Sequence, residues 1–189
     1  TAALMTMFWS MSAVGLHDPQ RPGTNLLDTG AHFYDVYRCA DDRHVSLGSI
    51  EPQFYDELLA RLGVSDDEQF LRQMDRGEWP ALKQRLREIF ATRTRDEWCE
   101  VFEHSDVCFA PVLTMAEAAE HPHNVARQGY VEVAGVRQPA PAPRFSRTVP
   151  TIERPPSQPG ADTRDVLLAW GVDPARVDEL CSSGAAVQA

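Results

Sequence analysis

The most constraining feature of the sequence is the octet at residues 48–55, where a β-type pattern gives way to a helical one. Two β-rich runs, 33–39 and 43–50, lie on either side of a short turn, and together they predict a β-hairpin. Apolar residues then recur at helical spacing, and Pro52 suits the first helical position because a backbone N–H there has no partner. The second strand is therefore expected to deliver Glu51 to the start of a helix.

Glu51 is the first candidate for a functional group. At or near an N-cap its carboxylate faces the positive end of the helix dipole, an interaction of about 0.3–1 kcal/mol. A carboxylate held in this way can serve as a base, or it can do no more than cap the helix. The local pattern alone leaves both interpretations open.

The rest of the pattern predicts an α+β fold, a small antiparallel sheet packed by several helices. Capping boxes, in which Ser or Thr is followed by Glu three residues later, mark several helix starts, and helical periodicity marks the others. The predicted starts lie near Pro52, Ser65, Glu78, Thr94 and Thr114. Short β-type runs at 107–113 and 130–133 offer one or two further strands beside the hairpin.

Composition divides the chain into three predicted parts. Residues 1–24 hold an apolar, helix-permissive run, which needs cover from other structure, and then a linker with Pro and Gly. Residues 25–134 form the predicted small α+β domain. Residues 135–189 begin with a Pro-rich stretch, which cannot form its own core and must lie extended along another surface. Helical pattern returns at 162–170 and 174–180.

Charge and cysteine usage narrow the classes of partner. The chain has 18 Lys and Arg against 28 Asp and Glu, a net charge of −10, which disfavours nucleic acid and anionic membranes. No apolar run approaches the roughly 20 residues that span a bilayer. The four cysteines are scattered without metal-ligand or disulfide spacing, so no metal site is predicted. These features indicate a piece of a cytoplasmic protein.

The octet at 48–55 resembles the corresponding segment of the alpha-methylacyl-CoA racemases, members of the family III CoA-transferase superfamily. The resemblance runs from about Trp9 to the C-terminus, with the family's other motifs in the same order and at similar spacing. Those motifs lie at residues 25–31, 33–34, 78–80, 96–99, 106–112 and 121–124. The resemblance implies that the Pro-rich stretch is a return from the small domain towards a large one.

The family reaction implied by this resemblance belongs to fatty acid metabolism and inverts the carbon alpha to a thioester. One proton is removed on one face and one is returned on the other, through an enolate-like intermediate. By motif, Glu51 matches the glutamate that orients and charges the family's catalytic histidine, as a carboxylate does in a triad. The residues expected near the acyl-CoA substrate are Leu27, Tyr34 and Ile50, with Met5 and Met11 along the path of the acyl group.

The resemblance also sets expectations for what the chain lacks. The family's histidine and its opposing aspartate lie in a large domain upstream of this sequence, so the isolated chain is expected to be inactive. We expect that large domain as a partner, a homodimer, and no cofactor apart from the CoA of the substrate. Two alternatives stay open: a CoA transferase that works through an aspartyl thioester, and a non-catalytic partner subunit of a split enzyme.

Overall fold

The computed structural model describes residues 2–189. These residues form two compact units, a first that ends at Thr114 and a second that covers Met115–Ala189. The predicted domain boundaries after residues 24 and 134 rest on the sequence and stay predictions.

The first unit combines helices with a small antiparallel sheet. Its helices are α1 (Thr6–Ala13), α2 (Pro52–Leu62), α3 (Trp79–Phe90) and α4 (Arg95–Phe102), and a 3-10 turn at Ala2–Met5 precedes α1. Its strands are β1 (Val36–Arg38), β2 (His44–Leu47) and β3 (Phe109–Val112), in the order β1-β2-β3 with β2 at the centre. The α+β class and the predicted hairpin are confirmed, and so is the predicted third strand beside it.

The core of the first unit lies between the sheet and the helices. Alternation along β1 turns Tyr37 inward, and Phe33 in the turn before β1 also packs inward; both are fully buried. Tyr37 stacks on Phe90 of α3, with ring centroids 5.1 Å apart, and Phe90 in turn meets Trp98 of α4. Aromatic contacts of this kind join the hairpin to both helices.

The prediction of a helix that begins at Ser65 is wrong, because residues 65–78 form a series of turns. Asp67 uses its carboxylate to accept from the backbone N–H of Gln69, and the hydroxyl of Tyr55 donates to the carbonyl of Phe70. That carbonyl would accept a backbone N–H in a helix, so the tertiary hydrogen bond competes with helix formation. The capping box at Thr94 is confirmed, with both reciprocal hydrogen bonds present.

The second unit contains short helices and a two-stranded hairpin. Its elements are α5 (Met115–Glu120), α6 (Pro122–Ala126), β4 (Tyr130–Val133), β5 (Val136–Pro139), α7 (Thr163–Ala169) and α8 (Pro174–Ser182). Strand β5 was not predicted. It follows β4 through a two-residue turn in which Ala134 and Gly135 both have positive φ, 51° and 78°, as a tight hairpin requires. The Pro-rich residues 140–161 contain no helix or strand, as expected.

The predicted N-terminal helix is present as α1, and its apolar side chains lie open. Leu4 is 83% exposed and Trp9 75% exposed. Within the described residues, no helix is long and apolar enough to cross a membrane.

Candidate functional site

The connection from β2 to α2 is fixed by hydrogen bonds to segments distant in sequence. The backbone N–H of Gly48 donates to the carbonyl of Cys108 at 2.9 Å, and that of Ser49 donates to the carbonyl of Phe33 at 3.1 Å. The fully buried Ser49 hydroxyl donates to the carbonyl of Val107 at 2.5 Å. The connection therefore has one conformation set by both neighbouring strands, which prepares it to position a side chain.

A residue from the turns at 65–78 completes this support. The side-chain amide of Gln73 donates to the carbonyls of Ser49 and Ile50, each at 3.0 Å. The Gln73 carbonyl accepts from the indole N–H of Trp79 at 2.8 Å, which fixes Gln73 to the start of α3. The two carbonyls immediately before Glu51 are thus satisfied by a side chain that is itself held in place.

Glu51 occupies the N-cap of α2 with extended backbone angles, φ −71° and ψ 141°, and Pro52 follows at the first helical position. Its carbonyl accepts from the N–H groups of Phe54 and Tyr55, as a cap carbonyl does. Its carboxylate makes no capping hydrogen bond, and it pairs with no cation among residues 2–189. The predicted position is confirmed, and the exposed carboxylate remains available to a group outside this chain.

Tyr34, Gly48 and Cys108 lie close together at the start of the connection that leads from β2 to Glu51. A Cβ atom built on Gly48 would lie 3.6 Å from the Cys108 carbonyl oxygen and 3.8 Å from Cε2 of the Tyr34 ring. Burial raises the pKa of the Cys108 thiol, and the negative charge of Glu51 raises it further. Cys108 is therefore a neutral thiol near the carboxylate, not a thiolate nucleophile.

The structure brings together only part of the predicted substrate-binding set. Ile50 and Glu51 are consecutive in the β2–α2 connection, and the Tyr34 ring lies near Gly48 of the same connection. Tyr34 and Ile50 are half-buried. Leu27 is half-buried in the turns that precede the hairpin. Met5 lines a cleft of about 420 Å³ built from α1 and the loop after it, and the wall of this cleft includes neither Met11 nor Glu51.

Sequence reasoning missed two residues of this site. Cys108 and Gln73 are far from Glu51 in the chain. Cys108 lies within the motif at 106–112 but was not singled out as a site residue, and Gln73 lies in none of the motifs. They reach it through the β2–β3 pairing and through the turns that replace the predicted helix. Among residues 2–189 no group of three or more His, Cys, Asp or Glu side chains is placed to hold a metal ion.

The fold and site define a class of protein: an α+β unit that presents the unpaired carboxylate of Glu51 at a strand-to-helix junction. The sequence model of CoA-transferase family III matches residues 1–163, so the chain belongs to that family. The predicted family is confirmed.

Two curated relatives are similar to the chain in sequence, and one solved structure is similar to it in fold. The chain is 40% identical to alpha-methylacyl-CoA racemase of Mus musculus over 185 residues, which cover 96% of this chain and 48% of that protein. It is 37% identical to that of Homo sapiens over 186 residues, with the same two coverages. A CAIB/BAIF family protein from Brucella suis shares the fold at a TM-score of 0.64 and 18% identity, covering 91% of this chain and 45% of that one. The chain thus spans about half the length of the curated relatives it matches.

Proposed function

We propose that the chain is the C-terminal portion of an alpha-methylacyl-CoA racemase, an isomerase that interconverts the epimers of 2-methylacyl-CoA thioesters. The two racemase relatives support this reaction class, since each matches 96% of the chain. The observation that carries the proposal is Glu51, an exposed carboxylate at an N-cap that does not cap its own helix. The backbone carbonyl of Glu51 caps α2, and its carboxylate stays free to accept a hydrogen bond from another part of the protein.

Glu51 acts in this proposal as a positioning residue. Its carboxylate accepts a hydrogen bond from the imidazole of a catalytic histidine in the remainder of the protein, and it favours the charged form of that ring. The ring then takes the proton from the carbon alpha to the thioester and, in the reverse direction, returns it. The hydrogen bonds from Gln73 to the Ser49 and Ile50 carbonyls keep the connection rigid while the histidine changes charge.

Tyr34 and Ile50 contact the acyl chain near the reacting carbon in this account, because Ile50 directly precedes Glu51 and the Tyr34 ring lies near Gly48 of the same connection. Leu27, Met5 and Met11 are proposed as more distant contacts. The other half of the site comes from an N-terminal large domain, and the complete protein works as a cytoplasmic homodimer. The CoA of the thioester is part of the substrate, and no further cofactor takes part.

A second candidate is CoA transfer between carboxylic acids, because the matching family is defined as a CoA-transferase family. In that reaction CoA leaves one acid and joins another through a thioester on an aspartate outside this chain. An unpaired Glu51 has no required role in such a transfer.

The complete protein that contains this chain distinguishes the two reactions in one experiment. It is incubated in deuterated water with a single epimer of a 2-methylacyl-CoA and an excess of an isotopically labelled carboxylic acid. A racemase produces the opposite epimer with deuterium at the alpha carbon and leaves the labelled acid free. A transferase converts the labelled acid to a thioester and leaves the alpha centre protonated and uninverted, which would contradict the proposal.

A further inference from the structure

A cleft of about 530 Å³ lies in the first unit between the loop after α1 and one side of α3. Its wall carries four cationic side chains, Arg21, Arg76, Lys83 and Arg87, and one carboxylate, Asp18. The chain as a whole has a net charge of −10, whereas the wall of this cleft has an excess of positive charge. Low-dielectric walls lined by one sign of charge attract ions of the other sign.

Two of these cations build the cleft. Lys83 lies 3.0 Å from a carboxylate oxygen of Asp35, with both side chains largely buried, and its ammonium also donates to the carbonyl of Thr29. The guanidinium of Arg76 donates to the carbonyl of Thr24 at 3.0 Å. These hydrogen bonds tie the loop to α3 and fix the distance between the two walls.

The other two cations have no such structural task. Arg21 on the loop and Arg87 on α3 are exposed, and neither forms an ion pair with any residue in the described range 2–189. Lys83 and Arg87 stand one helical turn apart on α3, a spacing at which like charges destabilise a helix. Lys83 is paired with Asp35, so the placement of Arg87 is the one that helix stability does not explain, and an anion in the cleft would explain it.

We propose that this cleft binds a phosphorylated anion, with Arg21 and Arg87 as its principal contacts. The planar guanidinium group donates two parallel N–H bonds to a phosphate, so two arginines in the wall of one cleft favour this chemistry. The volume lies within the range of about 300–1,000 Å³ usual for small-ligand sites. Asp18 is directed to its own loop, where its carboxylate accepts from the N–H of Gln20 at 2.9 Å. The proposal is independent of the reaction proposed for Glu51.

Inorganic pyrophosphate is the probe, titrated into the chain by calorimetry at low ionic strength. Wild type is expected to bind it saturably, and the double variant Arg21→Gln/Arg87→Gln to bind about 30-fold more weakly, because two charges near the anion are lost. The matched control is Arg127→Gln/Arg147→Gln, which removes the same charge from exposed arginines of the second unit. Its affinity should stay within about twofold of wild type, because neither arginine lines the cleft and exposed charges outside it are screened.

A charge-conserving variant keeps the test decisive if the glutamine variant fails to fold. Arg21→Lys/Arg87→Lys retains both charges but loses the bidentate fork, so binding should weaken by about tenfold. CoA with a free thiol, titrated in parallel, distinguishes the source of the phosphate. If CoA competes with pyrophosphate and binds more tightly, the ligand of the cleft is a nucleotide. If CoA binds no more tightly than pyrophosphate, the ligand is a free oligophosphate. No saturable binding by wild type, or equal affinities in the cleft and control variants, would overturn the proposal.

Discussion

The Nε2 atom of His32 lies 2.7 Å from the hydroxyl of Tyr55, and that hydroxyl lies 2.8 Å from the carbonyl oxygen of Phe70. A tyrosine hydroxyl has one proton and gives it here to the carbonyl, so Nε2 must be the donor in the first hydrogen bond. His32 is fully buried among aromatic rings. Burial, together with a smaller effect of the positive charge of Lys83, lowers its pKa to about 3.

The first prediction is an acid-sensitive core. The folded-state pKa of His32 lies below its ordinary value of 6.5, so its stabilising contribution is present above pH 6.5 and is lost as the pH falls towards 3. Between pH 8 and pH 5 the free energy of unfolding should fall by about 2 kcal/mol on this account alone. Urea unfolding followed by the fluorescence of the buried Trp79 and Trp98 measures it.

The difference between wild type and His32→Phe isolates this contribution, because other titrating groups are shared. The stability difference between the two proteins should shift by about 2 kcal/mol between pH 8 and pH 5. His104, whose side chain is 90% exposed, provides the control, and His104→Gln should leave the pH profile of wild type intact. Parallel profiles for wild type and His32→Phe would show that His32 does not titrate as its burial requires.

The second prediction concerns the start of α4. The Thr94 hydroxyl accepts from the N–H of Glu97, and the Glu97 carboxylate accepts from the N–H of Thr94 at 2.8 Å. Thr94→Ala should lower the free energy of unfolding by about 1 kcal/mol, because one N–H of the first turn loses its partner. Thr94→Ser keeps the hydroxyl and should match wild type in the same denaturation experiment. Equal losses in both variants would assign the effect to the methyl group instead.

The third prediction compares two glycines. A Cβ on Gly30 would lie 2.3 Å from the backbone carbon of Thr24 and 2.4 Å from the carbonyl oxygen of Asn25, whereas the nearest such contact at Gly48 is 3.6 Å. Gly30→Ala should therefore destabilise the chain by about 3 kcal/mol, the upper end of overpacking costs. Gly48→Ala should cost less than about 1 kcal/mol. Similar thermal midpoints for the two variants would contradict the close backbone approach at Gly30.

Short sequence patterns predicted the helices whose starts depend on residues close together in the chain. Pro52 with the apolar repeat after it placed the start of α2, and the box at Thr94 placed α4. The box at Ser65 failed although its sequence is equally good. There the hydroxyl of Tyr55 donates to the carbonyl of Phe70, and this tertiary hydrogen bond competes with the helix. The sequence pattern does not show that these two residues meet. The turn at 134–135 did carry a signal, a glycine between two β-type runs, that pointed to the hairpin with β5.

The part of the candidate site that depends on neighbouring residues in the sequence was predictable. The position of Glu51 followed from its place between a strand and Pro52. Its lack of a capping bond did not, because side-chain hydrogen bonding depends on geometry that residue type leaves open. Cys108 and Gln73 join the site through pairings across the fold, so only the three-dimensional arrangement reveals them.

The central claim is that Glu51 orients and charges a catalytic histidine in the complete protein. Glu51→Gln is close to isosteric and removes no capping bond, so the fold and the affinity for thioester should stay near wild type. Exchange of the alpha proton should nevertheless fall by about 10²–10⁴-fold, the usual contribution of general acid–base catalysis.

The decisive measurement is the initial rate of deuterium incorporation from deuterated water into each pure epimer of a 2-methylacyl-CoA, for the complete protein and its Glu51→Gln variant. The predicted result is a loss for both epimers that is steeper for the epimer deprotonated on the histidine side, with an unchanged melting temperature. Wild-type exchange rates for both epimers in the variant would contradict the account and remove Glu51 from the mechanism.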